Sequence, residues 1–268
     1  MSFGSPHRHF ARTDSTNTRA RELAAAGAPT GTVVTAAEQS AGRGRQGRTW
    51  TAPPGRALLY SAILQPLEER HLLLPLAAPL AVCEAAEALR PGIQCTVKWP
   101  NDVHLDGRKL AGVLVEARPQ DGWAVIGIGL NLTIAPHEFP PDLRNTAISL
   151  FGSDTAFASG SGRRENDDDE GSRGKSRRSL PAVAPAGLPP APLTAAGILS
   201  HHLNRWIAAE PAEVLAEWRH RDVLKGREVS WEGGSGVADG VDDRGFLLVR
   251  TVGGDRLALG AGEVHLRL

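Results

Sequence analysis

Apolar residues in the first 150 positions form short runs that predict strands and one longer periodic stretch that predicts a helix. The continuous runs at 33–37 and 57–64 have the length and composition of buried strands. Between 72 and 89, apolar residues recur three or four positions apart, which is typical of the buried face of a helix. Pro75 fits the first turn of that helix, whereas Pro79 should kink it or delay its start until the residue after it.

Polar residues and glycines mark the ends of other elements. The cluster Asp14-Ser15-Thr16-Asn17 offers N-cap residues for a helix at 19–26, and Gly27 is typical of the end of such a helix. The other predicted elements are strands at 94–97, 113–116 and 124–128, the last two joined by a turn at Asp121-Gly122, and a helix near 195–207. This mixture predicts an α+β fold.

Residues 152–192 differ in composition from their surroundings. They are rich in Gly, Ser, Asp, Arg, Pro and Ala, with a mixed-charge run at 163–170. Such a segment cannot bury enough apolar surface to offset the entropy of ordering it, so a disordered insertion is predicted. The last part of the chain has short strand-like runs between glycine turns, which predicts a small β-barrel. The predicted domains are 1–220, including the insertion, and 221–268.

Charge and composition narrow the function classes. The 268 residues contain 30 Lys plus Arg and 30 Asp plus Glu, so the formal net charge is zero. Proteins that coat nucleic acids usually have a basic excess, which this sequence lacks. Cys83 and Cys95 lack metal-ligand spacing and are interpreted as reduced thiols. The N-terminus lacks a signal-peptide pattern, and no apolar run is expected to reach the roughly 18 residues of a membrane span. A soluble cytoplasmic protein without a membrane partner is predicted.

The segment from Gly42 to Trp50, GRGRQGRTW, predicts an anion-binding loop. Its glycines permit close approach of a ligand to backbone N–H groups, and its arginines bind carboxylate or phosphate. A flexible solvated turn is the plainer alternative. A metabolite carboxylate, a nucleotide phosphate and a nucleic-acid backbone all fit the loop, and the zero net charge favours a small anion.

Two more motifs suit a nucleotide site. In KWPND, 98–102, a lysine, an asparagine and an aspartate lie close together after a predicted strand, where a simple Asx turn is the alternative. In RKLAGVLVE, 108–116, Lys109 precedes an apolar strand and could be partly enclosed, although most lysines are exposed. Glycines at 127 and 129 would let backbone or ligand approach closely.

The sequence resembles the biotin protein ligases in its motifs and their order: the cap cluster, GRGRQG, KWPND and RKLAG-V-L-V-E. The resemblance implies a mixed-sheet catalytic domain related to class II aminoacyl-tRNA synthetases, followed by an SH3-like barrel. It implies ATP-dependent biotinylation of a lysine on a biotin carboxyl carrier domain through biotinyl-5′-AMP, with biotin, ATP and Mg²⁺ as reactants. Because the cap cluster lies near the start of the sequence, a form without an N-terminal DNA-binding domain, and without sequence-specific DNA binding, is expected. A homodimer is compatible with the sequence.

The resemblance also implies site residues. Lys109, Arg45 and Asp102 are the implied catalytic residues, with Asp102 orienting the acceptor lysine or a Mg²⁺-bound water. The implied biotin-binding residues are Ser15, Thr16, Asn17, Gln39, Gly42, Arg43, Lys109 and Gly112. The implied ATP and adenylate contacts are Arg43, Arg45, Arg48, Trp50, Asn101 and Asn131. No metal ligand is assigned.

Two other functions stay open from the sequence. A lipoate ligase of the same fold would adenylate a different acid, but it should lack the pairing of GRGRQG with KWPND. A nucleic-acid-binding module would use the arginine loop and exposed aromatic residues, with an affinity that falls steeply with salt.

Overall fold

The computed structural model describes residues 2–152, 191–260 and 265–266, the last two by their backbone only. Most of the predicted insertion, 153–190, lies outside the described residues. The prediction of disorder there, like the domain boundary at 221, stays a prediction.

The long apolar runs form the centre of a seven-stranded mixed sheet. Strand β3 (Ala57–Leu64) is buried at all eight residues and pairs with β2 (Val33–Gln39) and β7 (Trp123–Asn131). Strand β6 (Arg108–Arg118) pairs with β7 on its other side. The remaining strands are β1 (His7–Thr13), β4 (Thr96–Lys98) and β5 (Asp102–Leu105). The order is β1-β2-β3-β7-β6-β5-β4, with only β1 and β2 parallel.

Helices cover both faces of this sheet, which explains why β3 is buried at every position and apolar at most of them. Helix α1 (Thr16–Ala25) packs Ala20 and Ala24 against Val34 and Ile63 on one face. The other helices are α2 (Leu74–Leu89), α3 (Pro192–Ala208) and α4 (Pro211–Arg221). Helix α3 contacts β3 on the opposite face, where the hydroxyls of Tyr60 and Ser200 lie 2.9 Å apart. The elements predicted at 19–26, 33–37, 57–64, 94–97, 113–116, 124–128 and 195–207 are confirmed, within a few residues.

The expected delay of the helix start until after Pro79 is wrong, whereas the alternative of a kink at Pro79 stays a prediction. Helix α2 begins at Leu74, with Pro75 in its first turn, and it continues through Pro79. A proline there removes one backbone hydrogen bond. Eleven residues of α2, Pro79 included, are buried. We attribute the continuous helix to this packing, since burial of apolar surface outweighs a local propensity.

The stretch Glu69–Leu89 also corrects the expectation about apolar runs. By length and composition alone it could cross a membrane, with a mean hydropathy of 1.7. However, 67% of its most apolar 18-residue window is buried inside the protein, as is usual for the core helix of a globular fold.

The C-terminal segment forms a second, five-stranded antiparallel sheet. Its strands are β8 (Glu228–Trp231), β9 (Gly234–Val241), β10 (Leu247–Thr251), β11 (Arg256–Leu259) and β12 (His265–Leu266), in the order β11-β10-β9-β8-β12. Val229, Leu247 and Val249 join the same core cluster as α2 and β4. The second sheet therefore packs directly against the first domain.

Three strands were not predicted from the sequence. Strand β1 has almost no buried side chains and carries histidines and arginines, because it is an edge strand that pairs only with β2. Strands β5 and β11 have only four residues each, and β5 begins at Asp102, inside the KWPND motif that was interpreted as a turn.

Candidate active site

A single cleft collects most of the predicted site residues. It lies between the start of α1, the loop after β2, the β4–β5 turn and the glycines of β6 and β7, and it encloses about 930 Å³, including space open to solvent. The predicted residues that line it are Ser15, Thr16, Asn17, Gln39, Arg43, Arg45, Arg48, Trp50, Asn101, Asp102, Lys109 and Gly112. Motifs far apart in the sequence thus meet at one place.

Two predicted site residues do not line the cleft. Asn131 is only 4% exposed, and its Nδ2 donates to the carbonyl of Ile148 at 3.0 Å. The carbonyl of Gly42 accepts the backbone N–H of Trp50 at 3.0 Å, so Gly42 closes the base of the loop. Their contacts with a ligand stay predictions.

The start of α1 is a buried network of hydroxyl and amide groups. The Oε1 atom of Gln39 accepts from the backbone N–H of Thr16 at 2.7 Å and from its hydroxyl at 3.0 Å. The hydroxyl of Ser61 lies 2.8 Å from Oγ1 of Thr16 and 2.6 Å from Oδ1 of Asn17. Ser61 was missed from the sequence, where the only signal was a serine inside an apolar strand.

Helix capping does not account for Ser15. Its side chain makes no capping hydrogen bond, although Ser15 is the N-cap residue and is 2% exposed. Asp14 holds the turn instead, because its Oδ1 accepts the N–H of Ser15 at 2.7 Å. The hydrogen bond from Arg19 lowers the pKa of Asp14 to about 2. The Ser15 hydroxyl is therefore left at the cleft wall, where a polar ligand could use it.

The side chain of Asn17 packs against strand β7 at Gly127, where β7 has no side chain. A Cβ atom added at Gly127 would lie 2.0 Å from Oδ1 of Asn17. Real Cβ atoms do not approach so closely, so any side chain at 127 would displace the Asn17 amide. The glycine predicted to allow close approach therefore admits a protein side chain into the wall of the cleft.

The glycine-arginine loop, 42–50, folds back on itself as a small hairpin. The N–H of Gly44 donates to the carbonyl of Arg48 at 2.7 Å, and Arg43 and Thr49 form an isolated bridge. The turn at its tip uses positive φ values at Gln46 and Gly47, 54° and 75°. The alternation of glycine and arginine thus gives a compact loop with arginines along it.

Trp50 closes the loop over the glycines of the sheet. A Cβ atom at Gly129 would lie 2.3 Å from its indole ring, and one at Gly112 would lie 3.2 Å from it. The ammonium of Lys109 is 5.9 Å from the ring centroid. Among the described residues, Nε1 of Trp50 is buried and finds no hydrogen-bond partner. A ligand that enters the cleft could supply one.

Cationic side chains surround a single carboxylate in the cleft. The Nζ atom of Lys109 lies 2.7 Å from Oδ1 of Asp102. Lys98 faces Asp102 across the β4–β5 pair and also lines the cleft. Burial lowers the pKa of Lys98, and Asp102 opposes that shift. From the sequence, Lys98 was included in the KWPND motif as suited to a nucleotide site, but it was given no individual role.

Arg45 points from the loop towards the β4–β5 turn. Its Nη1 donates to Oδ1 of Asn101 at 3.3 Å, and Nδ2 of Asn101 donates to the carbonyl of Val113. Burial lowers the pKa of Arg45, which stays protonated because its ordinary value is so high. A guanidinium that has already lost part of its hydration interacts strongly with an incoming anion.

The charges that line the cleft suit it to hold anions. Arg45, Arg48, Lys98 and Lys109 line it together with one acidic residue, Asp102. In the part of the chain that the structure describes, no three His, Cys, Asp or Glu residues form a candidate metal group. Such a cleft can bring two negatively charged reactants together and stabilise charge on a transferring phosphate.

Comparisons with known proteins agree with this geometry. Residues 9–132 match the biotin/lipoate A/B protein ligase family. The chain is 35% identical over 272 residues to the biotin--[acetyl-CoA-carboxylase] ligase of Mycobacterium tuberculosis, covering 96% of this chain and 88% of that one. It spans less than half the length, 43%, of some other curated relatives that it matches.

Solved structures show the same architecture. The biotin protein ligase of Aquifex aeolicus, in complex with biotin and ATP, superposes with a TM-score of 0.71 at 26% identity, over 98% of this chain and 99% of that one. The biotin protein ligase of Leishmania major, in complex with biotinyl-5-AMP, superposes with a TM-score of 0.58 at 25% identity, over 96% and 100%. The predicted α+β class with a mixed-sheet domain is confirmed, and the part predicted as a small SH3-like barrel is an antiparallel sheet of five short strands.

Proposed function

Because the chain belongs to the biotin protein ligase family, we propose that it joins biotin to a lysine of a biotin carboxyl carrier domain through biotinyl-5′-AMP. The observation that carries the proposal is the meeting of the α1 cap cluster, the glycine-arginine loop and Lys109 in one cleft. The cap cluster is suited to a neutral polar group, and the loop and Lys109 are suited to anions. Biotin presents a neutral ureido ring at one end and a carboxylate at the other.

The ureido end of biotin is assigned to the start of α1. Ser15, Thr16 and Asn17 offer hydroxyl and amide groups beside helix N–H groups, and Gln39 and Ser61 hold them in place. Buried polar groups that are already positioned bind a polar ligand at a low cost in ordering entropy. The backbone of Gly42 and Gly112 and the side chain of Arg43 would border the rest of the molecule.

The first step is formation of the adenylate. A carboxylate oxygen of biotin attacks the α-phosphorus of ATP, the bond to the β-phosphate oxygen breaks, and pyrophosphate leaves. Arg45, Arg48 and Lys109 neutralise the anions that meet there and the charge that builds on the phosphorus. Trp50, Asn101 and Asn131 are proposed to hold the adenylate. No covalent intermediate on the enzyme is needed.

The second step transfers the acyl group. The uncharged amine of the acceptor lysine attacks the acyl carbon, the bond from that carbon to the phosphate oxygen breaks and AMP leaves, and the new amide nitrogen releases a proton to water. Lys109 would polarise the acyl phosphate. Asp102, 2.7 Å from Lys109, is placed to hold that ammonium and to orient the incoming lysine.

Mg²⁺ is proposed to enter with ATP. The described residues offer a single carboxylate in the cleft, Asp102, and it is already paired with Lys109. This fits an ion held mainly by substrate phosphates and water, which is usual for Mg²⁺. The protein would then contribute at most one contact to the hydrated ion.

Intact mass spectrometry of the acceptor tests the proposal. The protein is incubated with biotin, MgATP and a purified biotin carboxyl carrier domain. We expect the carrier domain to gain the mass of one biotinyl group at a single lysine, and the same domain with that lysine replaced by arginine to gain none. An unmodified carrier domain in the presence of a folded, ATP-binding protein would refute the proposed activity.

Replacing Gly127 by alanine should weaken biotin binding specifically. The new Cβ atom forces Asn17 out of its position, since the two atoms would be 2.0 Å apart. The KM for biotin should rise by about 10- to 100-fold, the cost of one or two lost hydrogen bonds, while the KM for ATP changes little.

A matched control for this variant is Gly197→Ala. Gly197 lies in helix α3, and a Cβ atom there meets nothing within 4 Å. It should leave both KM values unchanged and raise stability slightly. An unchanged biotin KM for Gly127→Ala would contradict the assignment of Asn17.

A further inference from the structure

Glu116 does not line the cleft, but its carboxylate contacts two parts that do, the glycine-arginine loop and the start of α1. Its carboxylate lies near the end of β6 and is 20% exposed. Nη1 of Arg43, in the glycine-arginine loop, is 3.0 Å from its Oε1 and 3.2 Å from its Oε2. Nδ2 of Asn17, at the start of α1, donates to its Oε2 at 2.9 Å. Arg21 adds a longer contact of 3.5 Å.

The contact with Asn17 determines which way that amide faces. A carboxylate only accepts hydrogen bonds, so the amide NH₂ of Asn17 must face Glu116. Its Oδ1 then faces the hydroxyl of Ser61, which is 2.6 Å away. Glu116, with a longer contact from Nδ2 to the carbonyl of Leu114 at 3.5 Å, therefore sets the orientation of a side chain that borders the cleft.

The contact with Arg43 holds the loop to the sheet. Both oxygens of Glu116 engage Nη1, which leaves Nε and Nη2 of Arg43 as donors for an incoming anion. Arg43 is 43% exposed and belongs to a loop, so its side chain would otherwise sample many rotamers. The ion pair keeps the guanidinium at the cleft before a ligand arrives.

We propose that Glu116 is a positioning residue that pre-orders the biotin end of the cleft through Arg43 and Asn17. It does not touch the substrate. The pre-ordering lowers the entropy that ligand binding must otherwise overcome, so its loss should appear in KM for biotin rather than in kcat. This kinetic consequence rests on the proposed function, whereas anchoring of the loop does not.

Limited trypsin digestion of the ligand-free protein measures the anchoring directly. The loop contains three arginines at which trypsin can cut once the loop opens, Arg43, Arg45 and Arg48. Glu116→Gln keeps the size of the side chain but removes its charge. We expect cleavage within 42–50 to become about fivefold faster, the effect of losing roughly 1 kcal/mol of anchoring. In an Arg43→Ala background, the same change should have no further effect on cleavage at Arg45 and Arg48.

Kinetics of the same variant supply the second readout. The KM for biotin should rise about tenfold, with kcat changed less than twofold and the melting temperature within a few degrees. Glu213→Gln is the matched control. Glu213 lies on helix α4, away from the cleft, and its carboxylate pairs with Arg205 at 3.0 Å. It should alter neither cleavage nor KM.

The outcomes separate the two proposals. If no acid is adenylated by the unmutated protein, the proposed function fails, but the digestion still tests the anchor. If biotin is ligated normally and Glu116→Gln digests at the rate of the unmutated protein, the anchor is refuted. Faster cleavage spread over the whole chain, with a large fall in melting temperature, would show a general structural role and would also refute it.

Discussion

Replacing Lys109 by alanine is expected to slow biotin-dependent pyrophosphate release by about two to three orders of magnitude. The ammonium of Lys109 lies 2.7 Å from Oδ1 of Asp102 and 5.9 Å from the centroid of the Trp50 ring, beside Gly112. Removing one fixed donor from a charge-stabilising site typically costs a factor of 10² to 10³ in kcat. The same change should cost only about 1 kcal/mol of folding free energy, because the ion pair is partly exposed at both ends.

The contrast between catalysis and stability is what makes this variant informative. Pyrophosphate release and thermal unfolding are measured on the same preparation. Lys109→Arg keeps the charge and should recover part of the rate, and Lys225→Ala removes an exposed lysine that does not line the cleft and should change neither quantity. Pyrophosphate release at the unmutated rate would show that Lys109 has no part in adenylation.

Replacing Arg45 by alanine is expected to release the adenylate about 10- to 100-fold faster. Arg45 is partly buried, hydrogen-bonded to Asn101 and placed among the cleft cations, so it is positioned for the phosphate. A charge-assisted hydrogen bond contributes about 1.5–3 kcal/mol, which corresponds to that range in dissociation rate.

The release rate can be followed by preforming the complex with biotin and MgATP and then diluting it into a trap. Because a released acyl adenylate reacts with any amine, a bystander protein without a carrier domain should also become biotinylated. Arg45→Lys keeps the charge but loses the planar fork, so it should give an intermediate rate. Adenylate retained as long as in the unmutated protein would refute the role of Arg45.

The parts of the site that depend on local sequence could be predicted. The cap cluster at the start of α1, the glycine-arginine loop and the Lys109 strand each combine residue types whose chemistry is visible over a few positions. The structure places them in one cleft. The central strands were also predictable, since burial on both faces makes β3 a nearly continuous apolar run, interrupted at Ser61.

The missed residues act across long separations in the sequence. Asn17 and Glu116 are 99 positions apart, and Asn17 and Ser61 are 44 apart, so nothing local marks them as partners. The strand β1 was missed because an exposed edge strand needs no apolar pattern. The start of α2 was misplaced because tertiary packing, rather than Pro79, decides where that helix begins. The residue types in a sequence therefore indicate which kinds of contact can form, and the fold determines which residues form them.

The most direct test of the proposed activity is adenylate formation in the absence of an acceptor. The unmutated protein is incubated with MgATP and either biotin or lipoate, and pyrophosphate and protein-bound acyl adenylate are both measured. We expect biotin to give one bound adenylate and a matching burst of pyrophosphate, and lipoate to give neither above background. Equal or faster reaction with lipoate, or pyrophosphate release that needs neither acid, would contradict the assignment of the cleft to biotin.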